Sequence, residues 1–333
     1  MSEFELVTPV ALFVFNRPDT TARVFKEIAK AKPPKLLLIS DGPRLNRPDE
    51  VKLVEMVRNI INQVDWPCEI LRNYSDTNIG PGVHGCVSSG LNWVFSQVSE
   101  AIILEDDTLP TPTFFRFCQE LLERYREDER IATIGGANVT LGTMPVSDSY
   151  YFFKYTIPLW GWASWRRVWE NQHQTMLLLQ KFQNEGGFDL VHSNRRERMF
   201  WSVFYTNIQA NRIRHPWDCQ LALSNWMQGQ LSICPAVNLI SNIGFNSDGT
   251  NTQDPKHHFA AIPVVEMNFP LQHPSFFLPS VQTDATIAKS EFNPSIMRYL
   301  IWEIERNSKS KIILWLLSTA RHLAQKIKLF FRK

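Results

Sequence analysis

Three consecutive carboxylates follow a short apolar run near the end of the first third of the chain. Residues 101–104 are Ala-Ile-Ile-Leu, and Glu105, Asp106 and Asp107 come directly after them. Four apolar residues without alternation predict a strand of a parallel sheet buried on both faces, and ligands of such sheets bind beyond the carboxyl ends of the strands. Adjacent carboxylates raise one another's pKa, and a hard cation such as Mg²⁺ or Mn²⁺ relieves this repulsion through oxygen ligands. The pattern therefore predicts a cation-binding edge; a solvated acidic turn after a core strand is the alternative.

The chain before the acids alternates between apolar runs and amphipathic segments. We predict strands over 9–15, 35–40 and 68–73 and helices over 19–30, 49–64 and 83–98, followed by the strand that carries the acids. This alternation predicts an α/β fold with a mostly parallel sheet flanked by helices. Beyond residue 112 we predict a helix over 113–128, a strand over 131–134, a helix over 219–228, and extended loops over the proline-rich residues 250–295.

Four loops leave the carboxyl ends of predicted strands and should converge on one crevice. They are residues 16–18, 40–44, 78–82 and 105–107. In a parallel sheet such loops meet at one edge. A nucleoside diphosphate would suit this crevice, because Asp41 can accept hydrogen bonds from a base while Arg17, Arg44 and a metal balance the phosphates. Taken singly, Asp41 with its glycine is more often a simple turn, and Gly80 can merely interrupt the chain before a helix.

These residues resemble a known family. Residues 9–20, 38–44, 78–82 and 104–107 look like nucleotide-sugar glycosyltransferases of the GT-A fold, which is Rossmann-like, and the likeness covers roughly residues 8–250. The acid triplet is similar to their aspartate-x-aspartate signature and most resembles the N-acetylglucosaminyltransferase I type. Residues 161–169, Gly-Trp-Ala-Ser-Trp-Arg-Arg-Val-Trp, resemble a stretch of bacterial, family-two-like glycosyltransferases.

The resemblance implies roles for the acids. Asp107 would ligate Mn²⁺ or Mg²⁺ that bridges the diphosphate of the donor, and Asp106 would face the ribose or the sugar. Related bacterial sequences carry Thr-His-Thr after an Asn-Ile-Gly-Phe-like turn, whereas this chain has Thr-Asn-Thr at 250–252. His257 and His258 follow closely and could assist the metal, as could Glu105, although vicinal histidines in such a loop are more often exposed to solvent.

Asp218 is the candidate base for an inverting transfer. It follows Trp217 and precedes an apolar helical segment. The family's acceptor-side aspartate supports this role, in which a carboxylate takes the proton of the acceptor hydroxyl. Asp218 could equally cap the helix that begins after it, and the two roles are compatible.

Four tryptophans are concentrated between residues 160 and 169. Trp162, Trp165 and Trp169 fit helical spacing, which favours core packing for at least two of them. Trp160 lies before this segment and is the better candidate for contact with a sugar ring. The predicted donor-binding residues are therefore Asn16, Arg17, Asp41, Arg44, Asn78, Gly80, Asp106 and Trp160.

Composition narrows the class of protein. The 333 residues are 44% hydrophobic, which predicts a globular core, and the five cysteines lack zinc-ligand spacing, which favours reduced thiols in the cytoplasm. The formal charge is +2, but eight Lys and Arg residues and no acid follow Glu305, so residues 1–305 carry −6. This net acidic body argues against nucleic-acid binding. We see no secretory signal.

The C-terminal residues 311–333 combine these bases with a broad apolar face. The apolar run is too short to span a bilayer. The composition is that of a helix lying on an anionic membrane surface, and the alternative is a helix docked on the body. A peripheral location would suit a lipid-linked glycan acceptor.

We therefore predict a metal-dependent inverting glycosyltransferase that uses a nucleoside-diphosphate sugar, with a role in cell-surface polysaccharide biosynthesis. Residues 1–112 would bind the donor, residues 113–300 would form the acceptor-side half of the same domain, and residues 301–333 would form the basic helix. The alternatives are a sugar-1-phosphate nucleotidyltransferase and a non-catalytic protein that binds nucleotide sugars or carbohydrate. Nucleotidyl transfer usually needs a Gly-rich, Arg-containing turn after the first strand, and residues 16–19, Asn-Arg-Pro-Asp, contain no glycine.

Overall fold

The structure is a computed structural model that describes residues 4–82, 84–140, 148–156, 160–245, 259–260 and 262–307. The predictions for residues 250–252, His257, His258 and the tail 311–333 lie outside the described residues. Two compact units are present, one formed by residues 1–178 and 214–285 and the other by residues 179–213 and 286–333. The division of the chain at residues 112 and 300 into a donor-binding half, an acceptor-side half and a basic helix stays a prediction.

Within the described residues, eight strands form one mixed, mostly parallel sheet in the order β3-β2-β1-β4-β8-β6-β9-β7. The strands are β1 (Val10–Val14), β2 (Lys35–Ser40), β3 (Glu69–Tyr74), β4 (Glu100–Glu105), β5 (Thr108–Pro110), β6 (Ile131–Gly135), β7 (Tyr150–Phe153), β8 (Trp162–Trp165), β9 (Leu231–Pro235) and β10 (Ile240–Asn242). Strands β1 to β4 pair in parallel, as do β6 and β9, whereas β8 and β7 run antiparallel to their neighbours. β5 and β10 form a separate antiparallel ribbon. The α/β prediction is confirmed.

The first four helices lie close to their predicted ranges. The helices are α1 (Pro18–Ala31), α2 (Asp49–Ile61), α3 (Cys86–Gln97), α4 (Pro112–Arg124), α5 (Arg166–Asn171), α6 (Thr175–Asn184), α7 (Gly187–Val191), α8 (Arg195–Gln209), α9 (Trp217–Met227), α10 (Val281–Glu291) and α11 (Ile296–Asn307). Proline stands in the first turn of α1 and of α4, where its fixed φ suits a helix start. None of the helices in the described ranges combines the length and apolar character needed to cross a membrane.

The prediction of a helix from the spacing of the tryptophans was wrong for Trp162 and Trp165. Trp162 and Trp165 lie on β8, which is inserted between β4 and β6 and is buried throughout. Because both faces of the sheet are covered, residues of either parity along β8 can be large and apolar. The expected core role is confirmed, since Trp162, Trp165 and Trp169 are at most 3% exposed. The predicted loop 250–295 also contains a helix, α10.

Gly90 on α3 allows this helix to lie directly on the sheet. A Cβ at Gly90 would be 2.4 Å from Cε1 of Phe13 in β1 and 2.9 Å from Cγ2 of Ile39 in β2. Both neighbours are buried side chains and have little room to move. The close approach fixes α3, and with it the loop that precedes α3, over β1 and β2.

We predict that Gly90→Ala lowers the free energy of unfolding by about 1–3 kcal/mol through overpacking, although alanine is the better helix former. Urea unfolding measures this change. Ser96→Ala, on the exposed side of α3, is the matched control and should stay within about 0.5 kcal/mol of the native chain. A Gly90→Ala chain as stable as the control would contradict the packing argument.

Candidate functional site

The acid triplet lies at the carboxyl edge of β4, beside the end of β1. The two strands are parallel, with Phe13 opposite Glu105, so the chain leaves both at the same edge. Arg17, just past β1, donates from Nη1 to Oδ2 of Asp107 over 2.9 Å and from Nη2 to Oδ1 of Asp106. The backbone N–H of Phe15 donates to the other oxygen of Asp106 over 3.3 Å. The structure thus brings three of the predicted site residues into one ion-paired cluster.

Burial and the neighbouring charges shift the pKa values of Glu105 and Asp106. Burial, together with the charges of Asp107 and Asp106, raises the pKa of Glu105 to about 8. Burial also raises the pKa of Asp106 to about 6, although the charge of Arg17 acts against this. For Arg17, burial alone would lower the pKa, but the two aspartates outweigh it and raise the pKa above its ordinary value. One guanidinium therefore balances only part of the negative charge at this edge.

Asp218 lies at the start of α9, and its charge acts on Glu105 of this cluster. It is the second residue of α9, and its Oδ1 accepts a hydrogen bond from the N–H of Cys219 over 2.9 Å. Pro216 takes the N-cap position, so the predicted start of this helix at residue 219 was two residues late. Burial raises the pKa of the Asp218 carboxyl, and the charge of Asp218 contributes, after burial and the two neighbouring aspartates, to the raised pKa of Glu105.

Aromatic stacking positions the start of α9. Trp217 stacks on Trp162, with 6.0 Å between the ring centroids and 25° between the planes. Trp162 lies opposite Ile103 in the β4–β8 pairing. The contact therefore links Asp218, the next residue after Trp217, to the strand that ends in the acid triplet. Asp218 and Glu105 are both partly exposed.

Asp41 organises a neighbouring loop. Its Oδ1 accepts from the N–H groups of Gly42 and Ile79, both over 2.8 Å. Its Oδ2 accepts from Nδ2 of Asn78 over 2.9 Å and from the N–H of Gly80 over 3.1 Å. The three bonds from Asn78, Ile79 and Gly80 hold the loop that follows β3 against the loop that follows β2. Contact of these residues with a donor stays a prediction.

Glu50, which the sequence analysis did not single out, joins Asn16 and Arg44. It is fully buried in the first turn of α2. Nε of Arg44 donates to its two oxygens over 2.8 and 3.0 Å, and Nδ2 of Asn16 donates over 3.3 Å. The half-exposed guanidinium of Arg44 also lies over the ring of Phe15, 5.6 Å from its centroid. Glu50 lies three residues after Arg47 in a polar segment, and nothing in the sequence indicated that it would be buried.

The ribbon of β5 and β10 holds Asp107 from the other side. The N–H of Ile243 donates to the carbonyl oxygen of Asp107 over 2.8 Å. Gly244 follows, and a Cβ there would lie 2.1 Å from Oδ2 of Asp107. Only glycine lets this backbone approach the carboxylate. The sequence analysis noted residues 242–245 as a turn but missed the contact of the glycine with Asp107.

Trp160 lies in the same region. Its ring makes edge-to-face contacts with Phe245, at 5.6 Å between centroids, and with Phe259, at 5.7 Å. Phe245 directly follows Gly244, so the aromatic cluster continues the segment that contacts Asp107. Trp160 is only partly buried, unlike the three tryptophans that follow it.

The side chains around Asp107 supply only some of the ligands that a hard cation needs. Carboxylate oxygens are the ligands that Mg²⁺ and Mn²⁺ prefer. In the part of the chain that the structure describes, however, no three His, Cys, Asp or Glu side chains are grouped so that they could hold a metal ion. Asp107 also shares its carboxylate with Arg17. A cation here would take Asp107 as ligand and would need further oxygens from a bound ligand or from water.

Comparisons with known proteins give no family. No family model matches the chain, and no curated protein matches it. Solved structures do match in part. UDP-glucose pyrophosphorylase in complex with UDP-glucose is 10% identical, with 50% of this chain and 78% of that chain covered and a TM-score of 0.31.

Two other solved structures are similar at the same level. For 4-diphosphocytidyl-2C-methyl-D-erythritol synthase from Anaerococcus prevotii, the identity is 9%, the coverage 49% of this chain and 74% of that chain, and the TM-score 0.30. For the inositol-1-phosphate CTP transferase from T. maritima, the values are 8%, 51% and 76%, and 0.29. The names correspond to the alternative of nucleotidyl transfer and not to sugar transfer, but likenesses this low carry no argument about the activity of this chain.

We predict that Glu105→Gln changes how stability depends on pH. The pKa of Glu105 rises from 4.5 to about 8 on folding, so its contribution to stability is present below pH 4.5 and is lost as the pH rises to about 8. Glutamine abolishes this loss. Between pH 5 and 8, the free energy of unfolding of Glu105→Gln should therefore increase relative to that of the native chain. Urea unfolding in metal-free buffer measures both. Glu55→Gln, exposed on α2, is the control, and equal trends for both variants would contradict the assignment.

We predict that Gly244→Ala displaces the carboxylate of Asp107 and weakens Mn²⁺ binding at least about ten-fold, as measured by calorimetric titration. Gly229→Ala is the control, because Gly229 has a φ of +65°, which favours glycine, but no atom lies within 4 Å of its Cβ position. Both variants carry a substitution cost, and only Gly244→Ala should alter the metal. Equal Mn²⁺ affinity in the two variants would show that Gly244 does not position Asp107.

Proposed function

We propose that this chain is an enzyme that binds a nucleoside-diphosphate sugar at the carboxyl edge of β1 and β4 and transfers the sugar to an acceptor hydroxyl. The observation that carries the proposal is Asp218, a carboxyl group in the first turn of α9, which the stacking of Trp217 on Trp162 ties to the strand paired with β4. The charge of Asp218 acts on Glu105, and burial raises the pKa of Asp218. A carboxylate whose pKa lies closer to neutral pH is a better general base. In this role Asp218 differs from the acids that Arg17 already pairs.

The proposed reaction is a displacement at the anomeric carbon. Asp218 takes the proton of the acceptor hydroxyl while the acceptor oxygen forms a bond to the anomeric carbon. The bond from that carbon to the diphosphate oxygen breaks, and the diphosphate leaves with the electron pair. A divalent cation, when bound, stabilises the charge that develops on this leaving group. Asp107 is the proposed cation ligand, and Arg17 holds its carboxylate in place.

Nucleotidyl transfer from a nucleoside triphosphate to a sugar 1-phosphate is the second candidate. The names of the similar solved structures correspond to it. Such chemistry must balance a triphosphate, and the loop after β1 supplies one arginine, which two aspartates already engage. The attacking phosphate is also anionic and needs no base, so this candidate leaves Asp218 without a role.

The identity of the sugar, the acceptor glycan and any contact of residues 311–333 with anionic lipid stay predictions. The acceptor would be a glycan or a lipid-linked glycan. Activity in the synthesis of a cell-surface polysaccharide would follow from such an acceptor. A screen of nucleoside-diphosphate sugars with Mn²⁺, read out as donor hydrolysis, identifies the donor before an acceptor is known.

We predict different defects for two variants. Asp107→Ala should abolish Mn²⁺-dependent donor binding. Asp218→Asn should keep the donor dissociation constant within about two-fold and lower the transfer rate by roughly 10²–10⁴, the usual contribution of a general base. Calorimetry measures donor binding, and release of the nucleoside diphosphate measures transfer. Asp65→Asn, exposed in the loop before β3 at the opposite edge of the sheet, should leave both quantities unchanged.

The same variants separate the two candidates. Pyrophosphate release from a nucleoside triphosphate and a sugar 1-phosphate that continues at the native rate in Asp218→Asn would identify nucleotidyl transfer. Full sugar transfer by Asp218→Asn would remove this residue from the mechanism. Binding of a donor with neither reaction would indicate a non-catalytic binding protein.

A further inference from the structure

A group of basic side chains lies beside the loop that precedes α3, and no role has been given to it above. Arg214 and His215 come just before α9, and His84 comes just before α3. A Cβ at Gly82 would lie 3.3 Å from the carbonyl oxygen of His215 and 3.6 Å from Cδ of Arg214. The two segments are therefore in direct contact. Burial and then the charge of His84 lower the pKa of His215.

The backbone of this loop is specialised for the approach. Gly80 and Gly82 have φ values of +81° and +106°, which favour glycine. A Cβ at Gly85 would lie 2.3 Å from the carbonyl oxygen of Gly80, so the loop closes tightly on itself before α3 begins. The N–H of Cys86 donates to the same carbonyl oxygen over 2.8 Å. This closed turn holds His84 next to the segment of Arg214 and His215.

The three side chains are uncompensated within the described residues. No acid there forms an ion pair with Arg214 or His84, and both side chains are exposed. Nε2 of His215 is enclosed by protein atoms and has no hydrogen-bond partner among the described groups. Buried polar nitrogens in native proteins usually have a partner. Neighbouring bases also repel one another, and an anion would remove the repulsion and supply acceptor oxygens.

We propose that Arg214, His84 and His215 form a phosphate-binding subsite beside Asp218. Arg214 supplies a permanent charge and a fork of N–H donors that matches phosphate oxygens. The subsite directly precedes the first turn of α9, which carries Asp218 at its second position. A phosphate bound here is either part of the donor diphosphate or a phosphate carried by the acceptor. The link to transfer rests on the proposed function, whereas the binding of phosphate does not.

Pyrophosphate titrated into the full chain tests the subsite without any sugar nucleotide. Arg214→Gln should raise the dissociation constant at least about ten-fold, because it removes a charge-assisted contact. Arg212→Gln is the matched control, since Arg212 is also exposed and lies two residues earlier, beside Asn207 at 3.5 Å. It should change the constant less than two-fold. His84→Gln is a second variant, and thermal unfolding verifies that each variant folds.

Titrations with uridine diphosphate and with glucose 1-phosphate then identify the source of the phosphate. Weaker binding of uridine diphosphate in Arg214→Gln assigns the subsite to the donor, and weaker binding of glucose 1-phosphate assigns it to the acceptor. Either result supports the proposal. Native affinity of Arg214→Gln for pyrophosphate and for both other probes overturns it, as does a native chain that binds none of the three. A native chain that binds pyrophosphate but hydrolyses no donor would count against the proposed function and not against the subsite.

Discussion

The charge balance at the end of β4 is the constraint on which the rest of the site depends. Glu105, Asp106 and Asp107 stand together, the charge of Asp218 acts on Glu105, and Arg17 is the guanidinium that bridges two of these acids. Carboxylates in such a cluster cannot all ionise at ordinary cost, and the raised pKa values of Glu105 and Asp106 express this. A site of this kind holds an excess of negative charge at neutral pH. It therefore attracts a cation. An anionic ligand binds beside these acids only together with a cation.

Two pairings of strands fix the geometry of these charges. The parallel register of β1 and β4 places the turn of Arg17 next to the acids, and the antiparallel ribbon of β5 and β10 returns the chain so that Gly244 lies on Asp107. Asp107 is thus held between a guanidinium and a backbone segment that has no side chain. Held in this way, a carboxylate presents a defined oxygen to a ligand instead of sampling several rotamers.

The fold was largely predictable from the sequence. Of the site, only the half contributed by the loops after β1 to β4 was predictable. Alternating apolar runs gave β1 to β4 and the helices between them, and the loops at the carboxyl ends of parallel strands converge wherever such a sheet forms. The position of β8 was not predictable, because a buried strand with tryptophan at both ends also fits helical spacing. The contacts of Glu50 and Gly244 join segments distant along the chain, and no local pattern encodes them.

Hydrogen-bond saturation distinguishes the two isolated aspartates of the site. Burial raises the pKa of both Asp41 and Asp218. Asp41 accepts four hydrogen bonds from its own and the neighbouring loop, so each oxygen is committed to holding backbone in place. The carboxylate of Asp218 accepts from the N–H of Cys219, and its own N–H and the Cys219 thiol also hydrogen-bond to it. All three donors belong to the first turn of α9, and they leave one of the four lone-pair positions of the carboxylate open. A carboxylate takes a proton from a substrate only through such a lone pair. A raised pKa therefore marks a structural acid in one case and a candidate base in the other, and the difference lies in what the oxygens already bind.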